Sequence, residues 1–108
     1  MARIALRLYG PAQIATGPTT VYTVPANRKG ILRHVHVYNP SAAGVTFTMS
    51  IGADAAATRL FDAHTIAANS AFDHFCYYVL EETQIITLST GTNNVLVITI
   101  DGDEAILA

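Results

Sequence analysis

Seven consecutive residues, Val45 to Ile51, constrain the fold of this chain more than any other stretch. Val45, Phe47, Met49 and Ile51 are apolar, and Thr46, Thr48 and Ser50 between them are polar. A period of two held without error is the pattern of a β-strand with one buried side and one wet side. The neighbouring segments read the same way. Val21, Tyr22 and Val24 make a short strand that Pro25 stops. After the polar turn Asn27 to Gly30 comes a strand with Ile31, Val35 and Val37 on one side. Leu32, His34, His36 and Tyr38 fall on the other, and Arg33 is an odd member of the apolar side. The loop from Asn39 to Gly44 joins it to Val45–Ile51, which predicts an antiparallel hairpin with a long connection.

Further strands are predicted over Thr58–Ile66, over the aromatic stretch Phe72–Leu80, over Gln84–Thr90 and over Val95–Ile100. The last is apolar on both sides except for Thr99, as expected of a central strand. Gly91 to Asn94 reads as a hairpin connection and Asp101 to Glu104 as an acidic turn. Gly52 to Ala57 has room for one helical turn, too short to hold alone in water. The total is about seven or eight short strands with turn signals roughly every ten residues, the spacing of a β-sandwich or barrel. The expected architecture is all-β: an antiparallel two-sheet β-sandwich, jelly-roll-like, with an extended N-terminal arm. An immunoglobulin-type sandwich stands as the alternative, although the chain has no Trp and no Cys pair to mark one. Residues 1–18 form the arm and 19–108 the sandwich. In the arm Ile4, Leu6 and Leu8 alternate with Arg3, Ala5 and Arg7, but Gly10-Pro11 and Gly17-Pro18 interrupt it. An arm laid on a neighbouring chain and an ordinary first strand are both open.

At 108 residues the chain is one domain with a modest core. Half of it is hydrophobic (51%) and 13% is charged, too apolar for disorder. The shortage of charge fits a surface partly covered by partners, or equally a surface rich in Thr, Ser and Ala. A net charge of −2 with no basic run argues against nucleic-acid binding. No apolar run approaches the ~20 residues of a membrane span, and the N-terminus lacks the apolar centre of a secretory signal. The lone Cys76 allows neither an intrachain disulfide nor a Cys-based zinc site, in keeping with synthesis in a reducing cytoplasm.

Candidate chemistry is sparse. His34 and His36, two apart on one strand, point the same way, as two ligands of one metal ion must. Cupin enzymes use such a pair with a Glu four residues after the second His. Here that position is Pro40, so the two remain weak metal candidates against a reading as surface histidines. Asp101, Asp103 and Glu104 offer oxygens for calcium without the rest of a calcium loop. Asp62, His64, Asp73 and His74 would suit acid–base chemistry only if neighbouring strands brought them together. No serine or cysteine stands in a nucleophile motif. Cys76, between Phe75 and Tyr77, reads as a buried thiol. Among the aromatics, parity puts Phe75 and Tyr77 opposite Phe72 and Tyr78; core and interface are both open to them.

The run Val21-Tyr-Thr-Val-Pro-Ala-Asn-Arg-Lys-Gly-Ile-Leu-Arg-His-Val-His-Val-Tyr-Asn-Pro40 resembles the opening of a group of small bacteriophage virion proteins. In these a Tyr-x-Val-Pro-Ala strand end leads through a Gly-containing turn to a strand that closes on Asn. Ile66-Ala-Ala-Asn-Ser70 matches a second turn, with Ala67 where the family commonly has Pro. The likeness spans about residues 16 to 104 and describes turns and core positions rather than a reacting site. It implies a structural part of the virion, not an enzyme, with no cofactor and no small-molecule substrate. The expected role is a capsid decoration (cement) protein on the phage head, bound to the major capsid protein and to copies of itself as a homotrimer. A tail or baseplate subunit is the alternative. The expected interface residues are Arg3, Ile4, Leu6, Leu8, Tyr9, Phe75 and Tyr77.

Overall fold

The computed structural model describes residues 2–107. Eight strands follow one another: β1 (Arg3–Gln13), β2 (Thr19–Thr23), β3 (Arg28–Asn39), β4 (Val45–Ile51), β5 (Arg59–Ile66), β6 (Ser70–Leu80), β7 (Ile85–Thr90) and β8 (Val97–Ile106). A single 3-10 turn, Ala56–Thr58, occupies the alanine-rich stretch before β5. Over Val45–Met49 the alternation in β4 does what its pattern demands: Val45, Phe47 and Met49 are buried and Thr46 and Thr48 lie half-exposed. At the register shift after Met49 it fails, with Ser50 buried and Ile51 half-exposed.

Two four-stranded sheets form, in the orders β1-β8-β3-β6 and β2-β7-β4-β5. Every neighbouring pair is antiparallel. The chain changes sheet at each connection except β4 to β5, which gives the two-sheet jelly roll expected from the sequence. Leu32, Val35 and Val37 of β3 and Ile98 and Ile100 of β8 face Phe47 and Met49 of β4 and Ile86 and Leu88 of β7. Each such side chain contributes about 1.5–3 kcal/mol on leaving water, and together they hold the sheets face to face.

Four expectations change. The β3–β4 and β7–β8 connections are not hairpins, because each joins strands of different sheets. Their turn residues set the length of a loop but not which sheet the next strand enters. Asp101 to Glu104 is not a turn but the continuation of β8, whose charges are carried by cations on neighbouring strands. The N-terminal residues are not a free arm. Arg3–Gln13 pairs with β8 as the edge strand of its own sheet, and Leu8 and Ile14 enter the common core, so packing continues across residue 18. Gly10-Pro11 does not end this strand. One extra residue bulges there against β8, and an edge strand tolerates the missing proline N–H.

A second irregularity matters more for the surface. Between Leu32 and His34, β3 shifts register against both neighbours. Leu32 therefore turns into the core while Arg33 and His34 both face out, and Val35 returns inward. The simple parity that groups Leu32 with the histidines fails at this bulge.

Candidate functional site

The outer face of the β1-β8-β3-β6 sheet carries the chain's most concentrated chemistry. Alternation along β6 sends Phe72, His74, Cys76 and Tyr78 inward and Asp73, Phe75, Tyr77 and Val79 outward. Phe75 is 75% exposed, Tyr77 56% and Val79 49%. Tyr38, outward on β3, adds another exposed ring. The Arg33 guanidinium lies 5.5 Å from the centre of the Tyr77 ring, within cation–π range. Because β6 ends its sheet, its outer backbone groups have no partner strand among the described residues. The placement of Phe75 and Tyr77 follows the parity read from the sequence. Val79 has the same parity and joins them on that side.

His34 and His36 sit beside this strip. The register sets His36 opposite Asp73 of β6, and His34 between Phe75 of β6 and Asp101 of β8. Asp73 Oδ1 lies 2.8 Å from His34 Nε2 and 2.6 Å from His36 Nδ1. These hydrogen bonds, from His36 first and then His34, hold the Asp73 carboxyl below the ordinary carboxylate value. The His34 ring stacks on Phe75 with centroids 4.3 Å apart, and its Nδ1 is 3.7 Å from Asp101 Oδ2. No signal local to the histidines names Asp73 or Asp101, because strand register alone supplies them. The pair lies on an open sheet face, and among the described residues no cavity opens beside it.

The remaining candidates disperse. Asp101 and Asp103 face outward and are matched to cations: Asp103 accepts from Arg3 (3.0 Å) and Arg33 (3.1 Å), and Asp101 from Arg7 (3.4 Å). Arg3 first and then Arg33 lower the Asp103 carboxyl. Glu104 points into the sandwich, where it accepts from Tyr22 (2.5 Å) and Arg28 (2.6 Å). Burial first, then the bond to Glu104, pushes the Tyr22 hydroxyl well above its usual value. This divides the three carboxylates between two sides of one strand, so they form no shared calcium site.

Asp62, His64, Asp73 and His74 do not converge either. Asp62 pairs with Arg59 on β5, while Asp73 faces away from His74, its inward-pointing neighbour. His64 and His74 instead join Phe61 and Phe72 in an aromatic cluster between the edge strands. Cys76 is half-buried behind β6, with Sγ 3.6 Å from the Leu32 carbonyl, and burial raises its thiol.

Of the expected N-terminal interface residues, Leu8 is in the core and Leu6 and Tyr9 pack against it, so their own sandwich holds them. Arg3 is tied to Asp103, and Ile4 is exposed. An apolar alternation at an edge reads alike whether its apolar side meets its own core or another chain.

No family model and no curated protein matches the sequence. Solved structures match the fold. A chain from Bacillus endospore appendages, described as disulfide-linked pili, superposes with a TM-score of 0.51 at 10% identity, over 99% of this chain and 87% of that one. Tobacco streak virus coat protein gives 0.52 at 8% identity, over 98% of this chain and 88% of that one. A chain from infectious bursal disease virus, Gx strain, gives 0.50 at 12% identity, over 95% of this chain but 30% of the viral chain. At such identities the likeness is one of architecture: this chain shares a two-sheet β-sandwich with a viral coat protein and a pilus chain.

Proposed function

We propose that this protein is a structural component of a virus particle, and within that class a bacteriophage decoration protein that sits on the outer surface of the head. The observation that carries the reading is the strip Phe75, Tyr77 and Val79 along an edge strand, exposed on an otherwise well-packed jelly roll. Aromatic side chains are enriched where proteins meet, and an unpaired strand edge offers main-chain hydrogen bonds to an added strand. The resemblance of Val21–Pro40 and Ile66–Ser70 to phage virion proteins supports the phage assignment, and the fold shared with a coat protein supports a role in assembly.

In this reading the strip binds the major capsid protein, and copies of the chain associate as a homotrimer. Three linked weak contacts then act with the avidity of one strong one. The protein works by adding contacts between capsid subunits and transforms no substrate. Its synthesis is in the host cytoplasm and its final place is the virion.

The test is quantitative mass spectrometry of purified particles after separation of heads from tails. On the order of hundreds of copies should travel with heads, as repeated surface sites on a symmetric shell require. Recovery with tails in a handful of copies, or absence from particles, would overturn the head assignment. A Phe75→Ser/Tyr77→Ser variant should keep its fold and bind undecorated shells at least about 10-fold more weakly.

A further inference from the structure

We propose that His34, His36 and Asp73 form a binding site for one divalent transition-metal ion of the zinc type. The three donors come from two adjacent strands, and one ligand atom from each lies within 4.8 Å of the other two. His34 Nε2 and His36 Nδ1 already converge on Asp73 Oδ1, at 2.8 and 2.6 Å. Ligands of a tetrahedral ion with bonds of about 2.0–2.2 Å stand roughly 3.3 Å apart. Admitting an ion therefore asks the two imidazole–carboxylate contacts to lengthen by about 0.5 and 0.7 Å, and the two ring nitrogens, within 4.8 Å of each other, to settle at the same separation, adjustments that side-chain torsions on an exposed sheet face can make.

Proton placement supports the same site. In the metal-free triad Asp73 Oδ1 accepts hydrogen bonds from both rings. For metal to bind, each neutral ring keeps one proton but carries it on the far nitrogen. For His34 that nitrogen is Nδ1, which faces Asp101 Oδ2 at 3.7 Å. A carboxylate behind a ligating histidine is the usual arrangement that selects its tautomer and orients its ring. Phe75, stacked nearly parallel to His34 at 4.3 Å, holds the plane of that ring. For His36 the far nitrogen is Nε2, whose proton meets solvent. Two imidazoles and one carboxylate are a donor set of intermediate softness, which suits zinc, cobalt or nickel better than calcium or magnesium. Three protein ligands leave the fourth position to water. The two-residue spacing keeps His34 and His36 on one side, and the bulge at Leu32/His34 lets Leu32, of the same parity, enter the core while both rings stay outward.

Calorimetric titration of the full chain with zinc chloride, repeated with cobalt and followed by visible absorption, tests the assignment. One ion per chain is expected. His36→Ala should weaken binding at least about 100-fold, Asp101→Asn about 10- to 100-fold, and His64→Ala, on the other sheet, should leave it unchanged. Nitrogen-15 spectra should show zinc on Nε2 of His34 and on Nδ1 of His36, with circular dichroism confirming that each variant is folded. Absence of saturable binding, binding undiminished in His36→Ala, or equal loss in His64→Ala would each overturn the site.

Discussion

At the scale of single residues, close backbone approach sets the sharpest limits. A Cβ added at Gly102 would stand 2.0 Å from the Ile31 carbonyl oxygen, with a Leu8 methyl 3.0 Å away. Two paired strands would have to part, and a backbone atom cannot swing aside as a side chain does. Gly102→Ala should therefore cost about 2–4 kcal/mol in urea unfolding. Gly17, with nothing near its added carbon, should accept alanine within about 0.5 kcal/mol. Equal effects at the two sites would show that the β3–β8 approach is looser than described. His34, His36, Phe75 and Tyr77 were legible in the sequence as residue types at a two-residue spacing. Asp73 and Asp101 as their partners were not, because pairing across strands separates them by 37 and 67 positions from the histidines they meet, His36 and His34.

At the scale of elements, β1 departs furthest from its sequence pattern. Its breakers suggest an appendage, yet it supplies Leu8 to the core and covers one side of β8. Removal of residues 2–13 should thus unfold the domain rather than merely detach it from a partner. Circular dichroism of the truncated chain should show the β signal lost, whereas a folded, monomeric product would restore the arm. The elements read correctly were those whose pattern is local: β4 by strict alternation and β8 as a central strand by its double apolarity. Those misread were governed by neighbours. The end of β8 is charged because Arg3, Arg7, Arg28 and Arg33 surround it, and composition alone cannot distinguish matched charge within a sheet from a solvated turn.

Across the whole molecule, charged groups lace the outer face of one sheet. Arg3 on β1, Asp103 on β8 and Arg33 on β3 form one link, and the histidines of β3 with Asp73 of β6 form the next. The carboxyls of Asp73 and Asp103, and of Asp54 beside Arg59, all lie below their ordinary value. A carboxyl lowered by folding adds stability that is complete above its unfolded pKa, about 3.9, and is lost as pH falls below that toward the folded value. Tyr22, raised on folding, contributes below about pH 10 and loses that contribution as pH climbs beyond it. For these groups, the melting temperature should change little between pH 5 and 9, fall below about pH 4 and fall again above pH 10. A melting temperature constant down to pH 2 would show that the acidic links carry no stability.

The order of apolar and polar side chains by itself determined that this chain makes strands with one buried side, because strand alternation is a property of consecutive residues; that four of them run to ten residues or more was not in the pattern. It also determined that Phe75 and Tyr77 share a side, and that His34 and His36 point together. Which strands pair, where a bulge reverses the parity, whether residues 3–13 close their own sheet, and which carboxylate meets which imidazole were decided by the tertiary structure alone. The reason is that register and sheet order are chosen by the packing of all eight strands at once, and no segment contains that information.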